Sequence, residues 1–491
     1  MTEEKKLRPI MFVGTGSDVG KSVISAAFCR IFKQDGYCPA PFKAQNMSLN
    51  SYPASGGLEI GRAQAMQAEA CKIECNTDMN PVLLKPTGYM TSQVILNGKP
   101  LGTMQAREYF LKTDRDKLFS EAMKAYYRLN EQYNPMVIEG AGSISEINLW
   151  DKDITNMRVA LEVEASVYLV ADIDRGGVFA SVYGTIKLLP ENQLKLIKGI
   201  IINKFRGDLT LFNNGRQIIE ELTGIPVVGI IPWFQDIFIE DEDSVVIDSK
   251  QQHARENKIN IAVVLLKHMS NFTDFNYLEQ IDEVHLYYAA NPSELDKADI
   301  VIIPGSKNTI SDMLYLRNSG MAKAILYAHR MKKAVYGICG GYQIMGTEIM
   351  DPYHIEGEIE KIPGLSILPV TTTITPEKTI EQRTFKFLDF NQECKGYEIH
   401  MGETSSGDSS CLCRLPDDKP DGYFLEPLTW GTYLHGIFDN PIVVDYILKK
   451  AGLNKQISFK NYDTFKEEQY DKLAQWVRGS VDLKVIYKSI I

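Results

Sequence analysis

The sequence predicts an α/β protein built as two three-layer α/β domains with mostly parallel sheets. Three observations carry this reading. Short runs of β-branched residues alternate with helix-compatible stretches along most of the chain, the pattern of parallel strands with helical crossovers covering both faces. A glycine-rich turn ending in Lys-Ser, Gly14-Thr15-Gly16-Ser17-Asp18-Val19-Gly20-Lys21-Ser22, follows the first such run. A second glycine-rich turn, Cys339-Gly340-Gly341, follows a later one. At 491 residues the chain exceeds one ordinary hydrophobic core, so more than one domain is expected.

Taken in order, Ile10–Val13 is the first strand and runs straight into the first glycine turn. Ser22–Lys33 reads as a helix, with Val23, Ile24, Ala27, Phe28 and Ile31 on one face. Met136–Ile138, Val167–Ala171, Gly199–Ile202 and Val227–Ile231 are the next strands. The charged stretch from Asp241 to Asn257 marks a boundary. A second α/β pattern then begins at Ile259–Leu266 and continues with Ile300–Ile303 and Ala334–Ile338. The tail is expected to be partly helical, including Asp471–Val477. These features divide the chain into residues 1–248, 259–445 and a tail, 446–491.

Composition narrows the class. The net charge of −10 argues against an extended nucleic-acid surface. No run of eighteen apolar residues is present, and the charged start, Met1–Pro9, has no apolar export segment. The eight cysteines are scattered and lack the paired spacing of a structural zinc site. A cytoplasmic enzyme is the simplest expectation, with no nucleic-acid or membrane partner. Its oligomeric state stays open, a homo-oligomer included.

A strand, glycine turn and helix make an anion site because free backbone N–H groups and the helix dipole converge on phosphate. Within that turn Gly16 and Gly20 give the backbone room, Lys21 can reach the terminal phosphates of ATP, and the Ser22 hydroxyl can ligate magnesium. The strict phosphate-loop spacing would put its first glycine at position 15, where a threonine stands; the glycines fall at 14 and 16 instead. Glu139, just past a buried strand, is either a magnesium ligand or a loop carboxylate. Asp172 and Asp174 invite the same pair of readings. Lys43 could neutralise phosphate charge, and Asn203 could meet the adenine edge or simply form a turn. This half resembles the dethiobiotin-synthetase-like branch of phosphate-loop proteins, through its Gly-Thr opening, the valine before Gly-Lys and the Glu139-Gly140-Ala141-Gly142 segment. The resemblance implies ATP-dependent phosphorylation of a carboxylate, with Lys21, Ser22, Lys43 and Glu139 as phosphate and metal groups and Asn203 for the base.

At the second turn, a strand-to-turn elbow exposes its apex side chain, which identifies Cys339 as a candidate nucleophile. A partner base is required, and His435, bounded by glycines in Gly431–Phe438, is the best candidate; His400 is a second possibility, expected to shape the site or the interface rather than serve as base. These pieces, with Pro304-Gly305-Ser306-Lys307, resemble class I glutamine amidotransferases. The resemblance implies that Cys339 attacks the amide of glutamine, with His435 moving the proton. Backbone N–H groups near Gly305 and at Gly340 would stabilise the oxyanion. Many members place a glutamate two residues after the histidine. Here position 437 is Ile, so whatever orients His435 lies elsewhere, or the pair acts as a dyad.

Over its length the chain resembles the cobyric acid synthase family of glutamine-hydrolysing corrinoid amidases. The most specific stretches are Phe42–Asn50, Asp78–Pro86, Ala171–Gly177 and Tyr397–Gly402. The resemblance implies amidation of the b, d, e and g carboxylates of adenosylcobyrinic acid a,c-diamide, using ATP, Mg2+ and L-glutamine. Arg62, Asp78, Asn80 and Lys85 are expected near the corrinoid or its acyl phosphate. Cobyrinic acid a,c-diamide synthase, another glutamine-dependent ligase and a ParA-like nucleotide switch are the competing readings.

Overall fold

A computed structural model describes residues 6–88, 91–105, 109, 114–234, 236–240, 253–457 and 459–491. The expected boundary segment falls mostly on 241–252, outside the described residues.

The first half opens with β1 (Ile10–Gly14), helix α1 (Lys21–Gln34) and β2 (Ala40–Phe42). Shorter strands follow: β3 (Gln45–Met47), β4 (Ser51–Ala54), β5 (Leu58–Gly61), then helix α2 (Arg62–Cys71), β6 (Val82–Gly88), β7 (Thr91–Leu96) and β8 (Lys99–Gln105). The strands β9 (Met136–Glu139), β10 (Ser166–Asp172), β11 (Ile197–Phe205) and β12 (Val227–Pro232) complete it. The central sheet has the order β12-β11-β10-β1-β9-β2, with every pairing parallel. Every residue of β1, β9 and β10 is buried, which is why these strands read as unbroken apolar runs. Their carboxyl ends carry the first glycine turn, Glu139 and Asp172, so these groups gather along one sheet edge.

The second half repeats the plan. Strands β13 (Ile259–Val264), β14 (Val284–Ala289), β15 (Ile300–Ile303) and β16 (Ala334–Ile338) are parallel neighbours. Cys339 follows β16 directly. A second sheet is then interposed: β17 (Glu348–Met350), β18 (Lys361–Pro363), the long hairpin β19 (Val370–Phe387) and β20 (Glu393–Ser406), β21 (Cys413–Arg414) and β22 (Pro420–Asp421). The chain returns through β23 (Tyr423–Glu426) and β24 (Thr429–Thr432) to finish the main sheet, in which β24 runs parallel to β16.

Two departures from the expected mostly parallel architecture matter for function. The sheet β3-β6-β7-β8 is antiparallel except where β3 meets β6. The β19–β20 hairpin is antiparallel throughout and reaches across to the first half: Gln382 Nε2 donates to Pro53 O at 3.0 Å, and the Tyr52 and Tyr397 rings meet edge to face at 5.3 Å. The tail is two helices, Tyr462–Ser480 and Leu483–Ile490. Both pack on α1, with Tyr470, Leu473, Val477, Ile486 and Ile490 sharing one buried cluster with Phe28, Ile31 and Phe32.

Candidate active sites

At the first turn, Gly20 caps α1 with φ +96°, a left-handed conformation that L side chains rarely adopt. An added Cβ there would lie 2.2 Å from Asn203 Nδ2. Asn203 donates to Val19 O at 2.9 Å and so pins the turn to the end of β11. The Lys21 ammonium donates to Gly16 O at 3.0 Å and Gly142 O at 2.9 Å, folded across the loop. Glu139 is the hub of the site. Its Oε1 accepts from Ser22 Oγ at 2.9 Å and from Lys43 Nζ at 2.7 Å, and its Oε2 accepts from Gln67 Nε2 at 2.5 Å. Lys21, Ser22, Lys43, Glu139 and Asn203 all line one cavity of about 1360 Å³. Its lining also includes the apolar side chains of Leu149, Trp150, Leu161, Trp233 and Phe234, among charged ones such as Lys152 and Arg158.

Asp172 and Asp174 do not join this cavity's lining. Lys204 pairs with Asp172 at 2.9 Å and Arg206 with Asp174 at 2.6 Å, so both carboxylates are committed to neighbouring cations.

The second site is built on the β16 elbow. Cys339 has φ 50° and ψ −109°, an uncommon backbone state for a non-glycine residue and one associated with a nucleophile held at a sharp turn. Gly340 starts the following helix, whose first-turn N–H groups have no intrahelical acceptor. A Cβ on Gly340 would sit 2.7 Å from Ser306 N, so the elbow and the Pro304–Lys307 loop touch backbone to backbone. Gly305 lies against the His435 ring, a Cβ there being 3.1 Å from its Cε1. Cys339 Sγ donates weakly to Ile399 O at 3.7 Å.

His435 is fully buried, and what orients it is now visible. Its Nδ1 is 2.7 Å from Asp274 Oδ2, and Asp274 Oδ1 accepts the Gly436 N–H at 2.9 Å. Asp274 therefore holds both the ring and the backbone beside it. Its place is a short 3-10 turn, Phe272–Phe275, after β13. Burial alone would push the imidazole's pKa down, but Asp274 and the Cys339 sulfur prevail and raise it to about 10. Nε2 has no hydrogen-bond partner among the described residues, leaving it available for proton exchange. Sequence reasoning missed Asp274, which stands well beyond the end of β13 at Val264 and has no motif around it, unlike Glu139 at the very end of its strand.

Cys339 opens on a cavity of about 690 Å³, and His400 is part of its wall. His400 stacks on Tyr433 with ring centroids 3.8 Å apart, and its Nδ1 is 2.9 Å from Gly402 O.

Of the four residues expected near the corrinoid, Lys85 lines the cysteine cavity instead, and the other three line neither cavity. Arg62 is buried and makes a two-pronged pair with Glu240, Nε to Oε2 at 2.7 Å and Nη2 to Oε1 at 2.8 Å. Asp78 faces outward and pairs with Arg128, at 2.6 and 2.9 Å. Asn80 donates to Lys43 O and Val82 O and accepts from Gly61 N, so it braces the link between β2 and β3 that carries Lys43. Most of their polar groups are held by the scaffold; Arg62 Nη1 is buried without a hydrogen-bond partner among the described residues.

Comparison with known proteins agrees with this geometry. Residues 10–245 match the CobQ/CobB/MinD/ParA nucleotide binding domain, and residues 260–442 match the CobB/CobQ-like glutamine amidotransferase domain. Cobyric acid synthase of Parabacteroides distasonis is 58% identical over 99% of both chains. The chain belongs to the cobyric acid synthase family. Other members of this family include cobyric acid synthase of Bacteroides fragilis, 57% identical over 99% of this chain and 98% of its own, and that of Clostridium perfringens, 44% identical over 98% and 99%. Among the described residues no helix is long and apolar enough to cross a membrane.

Proposed function

We infer that this chain converts adenosylcobyrinic acid a,c-diamide to adenosylcobyric acid, amidating the b, d, e and g carboxylates with ATP and glutamine. The observation that carries the reading is the coexistence, in one chain, of a Lys21–Ser22–Glu139 phosphate cavity and a Cys339–His435–Asp274 cavity. A carboxylate resists attack by nitrogen until its oxygen becomes a phosphate leaving group. The first cavity supports that activation: Lys21 and Lys43 offset charge on the transferring phosphoryl group, and Asn203 lies at the same end for the base.

The donor set at Glu139 and Ser22, a carboxylate and a hydroxyl, is the hard-oxygen kind that suits magnesium alongside phosphate oxygens. Bound there, magnesium supplies charge neutralisation across the phosphates. The cavity of about 1360 Å³ exceeds the roughly 300–1,000 Å³ of ordinary small-molecule sites, which supports room for a large substrate beside ATP. Leu149, Trp150 and Phe234 add apolar surface to that lining, while the Arg206 guanidinium stacks on the Trp233 ring, 3.8 Å from its centroid.

In the second cavity Cys339 attacks the glutamine amide, and N–H groups near Gly305 and Gly340 stabilise the oxyanion. His435, oriented by Asp274, takes the Cys339 thiol proton, gives it to the departing ammonia and then activates water to release glutamate. Ammonia passes to the acyl phosphate within the protein. Product yield that is indifferent to an added ammonia-scavenging enzyme supports that passage; complete diversion of nitrogen to the scavenger excludes it.

The test of the whole reading is incubation with adenosylcobyrinic acid a,c-diamide, ATP, magnesium and glutamine, followed by mass spectrometry. Four successive carboxylate-to-amide conversions are expected. No mass change from protein that hydrolyses glutamine would refute the corrinoid assignment.

A further inference from the structure

Glutamine offers its amide to Cys339, so its ammonium and carboxylate must be met elsewhere in the same cavity. The wall there comes from both halves of the chain. Lys307, Glu356 and Lys378 belong to the amidotransferase half, while Lys85, Thr91 and Gln93 belong to the β6–β7 hairpin of the nucleotide-binding half. Lys85 and Gln93 are cross-strand partners, so this hairpin presents one face to the glutamine cavity.

The charges in this wall do not balance. Glu59, fully buried behind it, accepts from Lys85 Nζ at 2.6 Å and from Lys378 Nζ. One carboxylate thus serves two ammonium groups. Lys307 has no ion-pair or hydrogen-bond partner for its ammonium among the described residues. Three lysines against Glu59 and Glu356 leave one positive charge in excess, even with Glu356 ionised. Burial lowers the pKa of Lys307 to about 8 and that of Lys378 to about 7, and the neighbouring lysines push the same way. Burial likewise raises Glu356 to about 7. An arriving carboxylate relieves the lysine repulsion, and an arriving ammonium favours the ionised Glu356.

We propose that a lysine cluster shared between the domains, Lys307 and Lys378 with Lys85 from the nucleotide-binding half, holds the carboxylate of glutamine, and that Glu356 accepts its ammonium group. Lys85 therefore reads the nitrogen donor and not the corrinoid. A consequence is that the glutamine site is complete only when the β6–β7 hairpin is docked. This rests on the glutaminase reading of Cys339.

The full-length protein tests it through Lys85→Met and Lys307→Met, with steady-state glutaminase kinetics. Each substitution should raise KM for glutamine about tenfold or more while changing kcat by much less, the mark of lost ground-state binding. Lys85→Arg should recover part of the loss. Wild-type protein should prefer 4-carbamoylbutanoate, which keeps the carboxylate, to 4-aminobutanamide, which lacks it, and Lys307→Met should shrink that preference. Because Lys307 has no partner to lose, that variant guards against a folding defect in Lys85→Met. Unchanged KM and unchanged analogue preference in Lys307→Met would overturn the proposal. So would a Lys85→Met defect equal for glutamine-driven and ammonium-driven amidation. Wild-type protein without glutaminase activity would instead overturn the reading on which it rests.

Discussion

Replacing Asp274 with Asn removes one charge and almost no volume, so its effect isolates what the carboxylate does for His435. In the wild-type arrangement Asp274 Oδ2 accepts from His435 Nδ1 at 2.7 Å while Oδ1 accepts from Gly436 N at 2.9 Å. In the Asn variant the side-chain oxygen can keep the Gly436 bond, which leaves the amide NH2 facing Nδ1. That donor favours the tautomer with its proton on Nε2, the wrong form for taking a proton from Cys339. A hydrogen bond to a charged group contributes about 1.5–3 kcal/mol, and the equivalent change in a Ser-His-Asp triad lowers kcat about 10⁴-fold through the same tautomer fault. Glutaminase kcat should therefore fall by roughly 10²–10⁴, or about 3–5 kcal/mol at 1.36 kcal/mol per tenfold. The assay is glutamate release at saturating glutamine, and the loss must exceed that of amidation driven by ammonium salt. A second readout is stability against pH. His435 is held at about 10, above its ordinary 6.5, so its contribution is fully present below pH 6.5 and is lost as pH rises through 10. The gap in Tm between wild type and Asp274→Asn should be widest near pH 6 and close above pH 10. A variant within threefold of wild-type glutaminase rate would refute the triad argument.

Lys43→Met leaves Glu139 buried without its ammonium partner. Removing one member of such a pair costs about 3–5 kcal/mol, and ATP-dependent amidation, followed by ADP formation, should fall at least about 10²-fold. Arg62→Ala should cost a similar amount, because Glu240 is then stranded in the interior; urea unfolding checks this, and a large change in corrinoid KM without loss of stability would return Arg62 to the substrate site. Asp78→Asn should change stability by less than about 1 kcal/mol, since its partner Arg128 is half exposed, and amidation assays should show wild-type rates.

The sequence revealed the central sheets through burial. Strands covered on both faces carry unbroken apolar runs, and Ile300–Ile303 and Ala334–Ile338 have the same limits in sequence pattern and structure. The β19–β20 hairpin escaped because much of it is half exposed. Val370–Phe387 alternates Thr, Glu and Lys with buried Val and Ile, and a proline interrupts it, so no continuous run announces a strand. The candidate reactive groups were legible where one local turn carries the whole motif, as at Lys21 and Cys339. Asp274 was not, because it joins His435 across 161 residues and no spacing rule spans that distance. Arg62, Asp78 and Asn80 show the opposite limit. A distinctive polar motif draws the eye equally whether its side chains meet a ligand or brace the backbone beside one.

The terminal helices that cover α1 bear on biosynthesis. Translation delivers Phe28, Ile31 and Phe32 early, but Tyr470, Leu473 and Val477 emerge only after the entire amidotransferase half has left the ribosome. For most of that interval the helix behind the phosphate loop carries an uncovered apolar face. The nascent chain thus exposes a chaperone-binding or aggregation-prone surface until residues 462–490 arrive, and ATP affinity is expected to appear late in synthesis, when the helix bearing Lys21 is finally held from behind.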